Sequence, residues 1–456
     1  MGGKNKKPFT QRVKGENKGD ERMIQQNSLR IKFKRGKEEI SSHSGLVVVG
    51  KILRKIISPV WLKERLSYRG SNRGYWGEEI VEPLILMLCG GGNRLEDIRV
   101  MREDRLLRKV MGWRRVPSAD TVGRWLRKAG REGGDKILEK VNEKVSRQVL
   151  KNDGKSSYTL DIDATVIESE KKEAKMTYKG EKGYTPLLGF LSENGVCIKG
   201  DFREGNRAPH EENKEFVEEC LKSIPEEIKI KRLRSDSAGY QAKVINLCLD
   251  KGITFYIGAE QDKAVKEAIK SIPERCWRVF RDKEGNLTDR QYAETIHCME
   301  KSKEAFRLVV LRWEKKQLEL FDKEKYEYFA IATNSEEEAE KVIHIYQERG
   351  KAENFIKELK NDMGLDWIPT GDFLANRIYF LLGIISYNLL VLLRRVFLGG
   401  EWIRKRISTI RWHFIEVAGK LIYHARSFVI KLWSINKEIF LLFEKSTQML
   451  PLLDTS

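Results

Sequence analysis

The sequence has little of what cross-linking or membrane insertion requires. Its six cysteines (Cys89, Cys197, Cys220, Cys248, Cys276 and Cys298) include no Cys-x-x-Cys pair, which argues against a disulfide framework or zinc ribbon and for a reducing, cytoplasmic compartment. The six histidines form no cluster: His344 stands before Arg349 without a partner ligand and His210 follows a loop, so both read as structural. No apolar run reaches the ~20 residues of a bilayer span. The longest, from Ile378 to Leu393, has 16 residues between Arg377 and Arg394-Arg395 and contains Asn388, which predicts a buried helix and no membrane partner. Met1 to Lys37 carries no apolar segment behind its positive charges, so it is not expected to be a secretory signal. Internal repeats are absent.

Positive charge is abundant. The chain has 86 Lys+Arg against 67 Asp+Glu, a formal charge of +19 spread along 456 residues. That balance favours a polyanionic partner, DNA or RNA, over a small acidic substrate. The length suits two or three domains, and 40% hydrophobic residues exclude wholesale disorder.

Residues 1–44 read as a flexible basic arm. Over 45–155, apolar residues recur at helical spacing, which predicts a helical domain for DNA binding or dimerisation. Within it, residues 101–131 hold ten Lys/Arg and three Asp/Glu. Ser118 is the expected cap of a helix carrying Arg124, Arg127 and Lys128, which resembles the second helix of a helix-turn-helix facing DNA. A solvated basic face fits the same pattern.

From Ser157 the pattern changes to strict alternation. It places Leu160, Ile162, Ala164 and Val166 on one strand face and Asp161, Asp163 and Thr165 on the other, open face. Strands over 186–191 and 195–202, a helix over 211–224, a strand over 228–234, a helix over 240–251 and a strand over 253–258 follow. This is the order of a ribonuclease-H-like α/β core, whose first part spans 156–275. A β-rich insertion is expected over 276–334, its last strand returning to the main sheet. Core helices follow over 335–395 and a basic helical C-terminal region over 396–456, with helix to about Phe443 and Trp402, Trp412 and Trp433 expected in the core.

Three acids stand out by context. Asp163 lies on the first strand, Asp236 directly follows the fourth, and Glu353 lies on the helix after the insertion. Carboxylates at adjacent strand ends suit hard Mg²⁺, which prefers oxygen ligands. Tyr346, Arg349, Glu353 and Lys360 are spaced so that they fall near one line of a helix. Such a stripe would set a metal ligand between phosphate-binding cations. A salt-bridged helix face accounts for the same spacing, and the residues alone leave both readings open.

In these residues the sequence resembles the insertion-sequence DDE transposases with a Tyr-Arg-Glu-Lys signature, most closely the IS-thirteen-eighty group of the IS-four superfamily. The resemblance covers roughly residues 75–395. It rests on Asp163-Ala164-Thr165, on Arg234-Ser235-Asp236, and on Tyr346, Arg349, Glu353 and Lys360 at full spacing. Pro117-Ser118-x-x-Thr121, Gly183-Tyr184-x-Pro186-Leu187-Leu188, Asn376 and Tyr387-Asn388-Leu389 support it.

The resemblance implies cut-and-paste transposition by a homodimer on double-stranded DNA, at inverted-repeat ends and then at a target, in the nucleoid. Catalytic and metal-binding roles fall to Asp163, Asp236 and Glu353, with two Mg²⁺ ions per site for which Mn²⁺ could substitute. Arg349 and Lys360 would hold phosphates near the scissile bond, with Tyr346 against the same strand. The alternatives are a catalytically silent DNA-binding descendant and another ribonuclease-H-like nuclease. On this reading Asp161→Ala is expected to be a mild control.

Overall fold

The computed structural model describes residues 36–66, 74–315, 325–424, 427–433 and 435–453. Most of the expected basic arm lies outside them. The elements below belong to the unit Glu39–Ser456.

A short strand, β1 (Ile40–Ser41), precedes seven helices: α1 (Leu46–Ile56), α2 (Pro59–Arg65), α3 (Gly77–Cys89), α4 (Ile98–Glu103), α5 (Arg105–Val110), α6 (Ala119–Arg131) and α7 (Gly134–Asp153). Ser118 caps α6 as expected, its Oγ accepting the Thr121 N–H at 3.4 Å. The inner face of α6, with Val122, Trp125, Leu126 and Ala129 buried, leaves Arg124 and Arg127 exposed.

The α/β part begins with β2 (Ser157–Ala164) and continues through β3 (Ile167–Glu168), β4 (Lys175–Met176), β5 (Lys182–Tyr184), β6 (Leu187–Leu191) and β7 (Cys197–Asp201). Then come α8 (Asn213–Lys222), β8 (Lys229–Ser235), α9 (Ala242–Lys251), β9 (Thr254–Gly258) and α10 (Lys263–Lys270). Four strands complete the sheet, the short β10 (Arg278–Arg281) and the longer β11 (Leu287–His297), β12 (Phe306–Glu314) and β13 (Tyr326–Thr333).

One nine-stranded mixed sheet holds β10-β11-β12-β13-β9-β8-β2-β6-β7 in that order. The strands β2, β8 and β9 run parallel; β6 and β7 are antiparallel additions on one side. On the other side β13 pairs antiparallel with β9, so the last strand of the expected insertion does join the main sheet. Two features escaped the sequence reading. The small sheet β3-β5-β4 between β2 and β6 is built of two- and three-residue strands rich in Lys and Glu, too short to show alternation. The strand β11 is mostly polar on both faces because only Ala293 along it is buried.

Two helices follow in close succession, α11 (Ala339–Gln347) and α12 (Gly350–Lys357), the latter continuing as a π-turn over Glu358–Asp362. The core helix α13 (Phe373–Leu392) runs on as a π-turn to Leu398, which makes it longer than its 16-residue apolar stretch. It is the one helix among the described residues long and apolar enough to cross a membrane, and 89% of its most apolar window is buried, against α3, α6 and α7.

The helix expected to continue to Phe443 is interrupted. After α14 (Ile407–Ile410), a hairpin of β14 (Gly419–His424) and β15 (Ser427–Leu432) pairs with β1 before α15 (Lys437–Met449). Helical periodicity could not see this because β14 is held by a partner some 380 residues earlier in the chain. Of the three tryptophans expected in the core, Trp402 is buried, whereas Trp412 is 71% and Trp433 47% exposed, both beside the hairpin.

Candidate active site at the carboxyl ends of the central strands

Register places the two aspartates side by side. Asp161 lies opposite Arg234, and Ile162 opposite Ser235, in the parallel β2–β8 ladder. Asp163 and Asp236 are one step beyond, and alternation puts them on the face that Asp161 and Arg234 share. This is the carboxyl end of parallel strands, where open α/β sheets form crevices. Asp236 also caps the short turn Ser237–Gly239 by accepting the Ala238 N–H at 3.1 Å.

Asp161 is not on an open face. It is fully buried and receives Arg234 Nε at 2.6 Å and Nη2 at 2.8 Å. Arg234, itself buried, also donates through Nη1 to the carbonyl of Ile345 at 2.8 Å. The pair thereby fixes the end of α11 on the sheet, and the expectation of an open face at Asp161 is corrected: α11 covers the strand there.

One turn further along, Arg349 reaches the sheet. Its Nη1 stands 3.3 Å from Asp163 Oδ2, and its Nη2 donates to Glu353 Oε1 at 3.3 Å. Arg349 sits at the break between α11 and α12, with α11 packed on β9 and α12 on β2. Tyr346 Oη covers Gly258 at the end of β9, where an added Cβ would meet it at 2.9 Å. A side chain at Gly258 would therefore displace Tyr346. Lys360 lies on the π-turn, and its Nζ donates to the Val166 carbonyl at 2.7 Å, tying that turn to the chain leaving β2.

The electrostatics follow from this packing. Burial, helped by the like charges of Asp236 and Glu353, pushes the Asp163 carboxyl up to about 6 against the pull of Arg349. Burial lowers the ammonium of Lys360. The structure thus brings together Asp163, Asp236, Tyr346, Arg349 and Glu353, with Lys360 anchoring the adjoining loop. Arg124, Arg127 and Lys128 stand on α6, whose inner face packs on α13, and Lys128 pairs with Glu132 at 3.6 Å.

The sequence reading gave no site role to three residues here, Tyr178, Tyr240 and His210, the last of which it read as structural. Tyr178 tips the β4–β5 turn, half exposed, and its phenol is raised by burial and by Asp163 and Asp236. His210 and Tyr240 line with it a cavity of about 500 Å³ beside Asp236. The Tyr240 hydroxyl is buried and meets no hydrogen-bond partner among the described residues. Nothing in the local pattern marks these residues, because they come from three separate loops.

The donor set suits a hard divalent cation: all oxygen, with repulsion at Asp163 that a cation would relieve. Among the described residues, however, no three His, Cys, Asp or Glu side chains are gathered closely enough to hold an ion. Arg349 instead supplies the positive charge between Asp163 and Glu353.

The profile of the family described as transposase DDE domain group 1 matches residues 21–450. The chain belongs to this DDE transposase family. Among solved structures, a cryo-EM structure of a piggyBac transposase synaptic complex with hairpin DNA is similar over 80% of this chain and 78% of that one, at 13% identity and a TM-score of 0.45. No curated protein matches. In this transposase the supporting residues of the resemblance hold the fold around the site. Asn388 accepts from Cys197 N at 3.0 Å and donates to Asn142 Oδ1 at 2.7 Å, Tyr387 Oη donates to the Gly195 carbonyl at 2.9 Å, and Asn376 accepts from Thr370 N at 3.0 Å.

Proposed function

We propose that this DDE transposase is the enzyme of an insertion sequence of the Tyr-Arg-Glu-Lys type, within the IS-four superfamily and its IS-thirteen-eighty group. It acts as a homodimer on double-stranded DNA, cleaving at inverted-repeat ends and joining them to a target. The observation that carries this reading is the in-register pair Asp163 and Asp236, with Arg349 joining Asp163 to Glu353. The strand order β7-β6-β2-β8-β9, with β2, β8 and β9 parallel, supports a ribonuclease-H-like core extended by β10–β13.

Once Arg349 gives way to the metal, Asp163, Asp236 and Glu353 would together hold Mg²⁺ or Mn²⁺, which when bound would supply positive charge against the phosphodiester and lower the pKa of attacking water. The chain's own part is positional. Arg234 seats α11, Arg349 offers a planar guanidinium that can turn from carboxylate to phosphate, and Lys360 holds the β2–β3 segment at the rim. Arg124, Arg127 and Lys128 present positive charge on α6 for more distant DNA.

The test is Mg²⁺-dependent cleavage of a DNA fragment carrying the gene's flanking sequence, with the natural protein and with Glu353→Gln. Nicking at the element boundary by the natural protein alone is the expected result. Cleavage by both would remove Glu353 from the site. Binding without cleavage by either would favour the catalytically silent descendant.

A further inference from the structure

A second cationic feature lies in the helical part, on residues assigned no role above. A cavity of about 370 Å³ opens among α4, α5 and the segment leading to α6, and Arg99, Arg102, Arg108, Arg114 and Arg115 line it with Glu103 as the one acid. Five cations line it, and with Glu103 in the lining and Glu79 on Arg115 an excess of three remains. Guanidinium keeps its charge at any physiological pH, so the cluster cannot relieve its repulsion by losing protons.

The five are held in different ways. Arg115 stacks on Tyr75 at 4.1 Å and pairs with Glu79 at 3.2 Å, which makes it a wall. Arg108 donates to the carbonyls of Arg102 at 3.3 Å and Arg114 at 3.2 Å, while its Nε is buried without a hydrogen-bond partner among the described residues. It thus pins together the two segments that carry Arg102 and Arg114. Arg99 pairs loosely with Glu103 at 3.7 Å, both side chains largely in solvent. Arg102 and Arg114 are exposed and form no ion pair among the described residues.

A frame of half-buried and stacked arginines therefore presents two uncompensated guanidinium forks, and the chemistry that fits such forks is phosphate. We propose that this arginine-lined cavity is a phosphodiester-binding site that grips the backbone of duplex DNA away from the carboxylate site. The inference rests on the DNA transposase reading and adds to it a contact point on α4, α5 and the pre-α6 segment, distinct from the basic face of α6.

The experiment measures binding of the full chain to a labelled DNA duplex over a salt series, for the natural protein, Arg102→Gln/Arg114→Gln and Arg124→Gln/Arg127→Gln. Each lost phosphate contact removes about 0.9 from the slope of log K against log salt, so the Arg102/Arg114 variant should lose nearly two. Its affinity at low salt should fall roughly tenfold or more, with circular dichroism and Tm unchanged because neither side chain makes an ion pair among the described residues.

An unchanged slope for Arg102→Gln/Arg114→Gln, in a natural protein that binds and cleaves DNA, overturns this site alone and leaves the transposase reading standing. A slope change confined to the α6 variant does the same. Calorimetric binding of inorganic phosphate by the natural protein but not by Arg102→Gln/Arg114→Gln, with both binding DNA identically, would make the cavity a site for small anions and overturn the DNA contact. A natural protein that binds no duplex at low salt overturns both readings.

Discussion

Arg234 donates from Nε and Nη2 to the two carboxylate oxygens of Asp161 at 2.6 and 2.8 Å, with both side chains shut off from solvent. The pair lies two residues before Asp163 and Asp236 on neighbouring strands, and through the Ile345 carbonyl it seats the helix that leads to Glu353. A polar pair that looks redundant in sequence is thus the base on which the candidate site is built.

Removing one member leaves the other charged and buried. Asp161→Ala should destabilise the protein by about 3–5 kcal/mol, whereas Asp161→Leu/Arg234→Met should recover much of that loss. Denaturant melting of the two variants decides it. A natural midpoint for Asp161→Ala would mean that the pair contributes nothing to the fold.

Asp163 should make stability depend on pH in the direction opposite to a salt-bridged acid. Its folded value of about 6 exceeds the ~3.9 of an unfolded chain, so the native state holds the proton more tightly. Stability from this group is full below about pH 4, declines as pH rises to 6, and is flat above. Asp163→Asn, neutral throughout, should be more stable than the natural protein by up to about 2–3 kcal/mol at pH 8 and nearly equal at pH 4. Metal-free melting curves at the two pH values test this, and equal differences at both would contradict it.

Lys360 holds the carbonyl of Val166, three residues past Asp163. Lys360→Met should free the segment 165–184, raising amide exchange there by about tenfold, which corresponds to ~1.4 kcal/mol for one lost charge-assisted bond. Exchange in α7 and α13 should stay as it is. Mass-resolved hydrogen exchange on the variant gives the answer; protection unchanged over 165–184 would show that this bond does not hold the segment.

Asn388 is the hub of a buried network joining α13, α7 and β7. Asn388→Ala strands the Cys197 N–H and Asn142 Oδ1 and should cost about 2–3 kcal/mol. Asn388→Asp keeps the acceptor for Cys197 N but places oxygen against Asn142 Oδ1 and the Cys197 carbonyl. It should be destabilising as well, and increasingly so as pH rises. Thermal melting across pH distinguishes the pair, and a neutral Asn388→Ala would show that the network contributes no stability.

Much of the chain could be read from residue order. Strict alternation from Tyr158 to Val166 marks a strand, the capping Ser118 marks the start of α6, and Tyr346, Arg349 and Glu353 at helical spacing mark a shared face. These are local properties, set by the backbone periods of 2 and 3.6 and by the hydrogen-bonding reach of a single side chain. What lies between distant segments was not readable. The hairpin β14–β15 depends on β1, and the cavity at Tyr178, His210 and Tyr240 depends on three loops meeting beside Asp236.

Sequence alone therefore determined the main core strands and helices, without β3–β5, β11 or the β14–β15 hairpin, and singled out Asp163, Asp236 and Glu353 among 67 carboxylates. Only the tertiary structure decided which acid is structural. Two aspartates two residues apart share a strand face, and their fates diverge because α11 covers Asp161 while Asp163 reaches the open end of the sheet. Burial of a charge is a property of what packs over it, and that is set by segments nearly two hundred residues away.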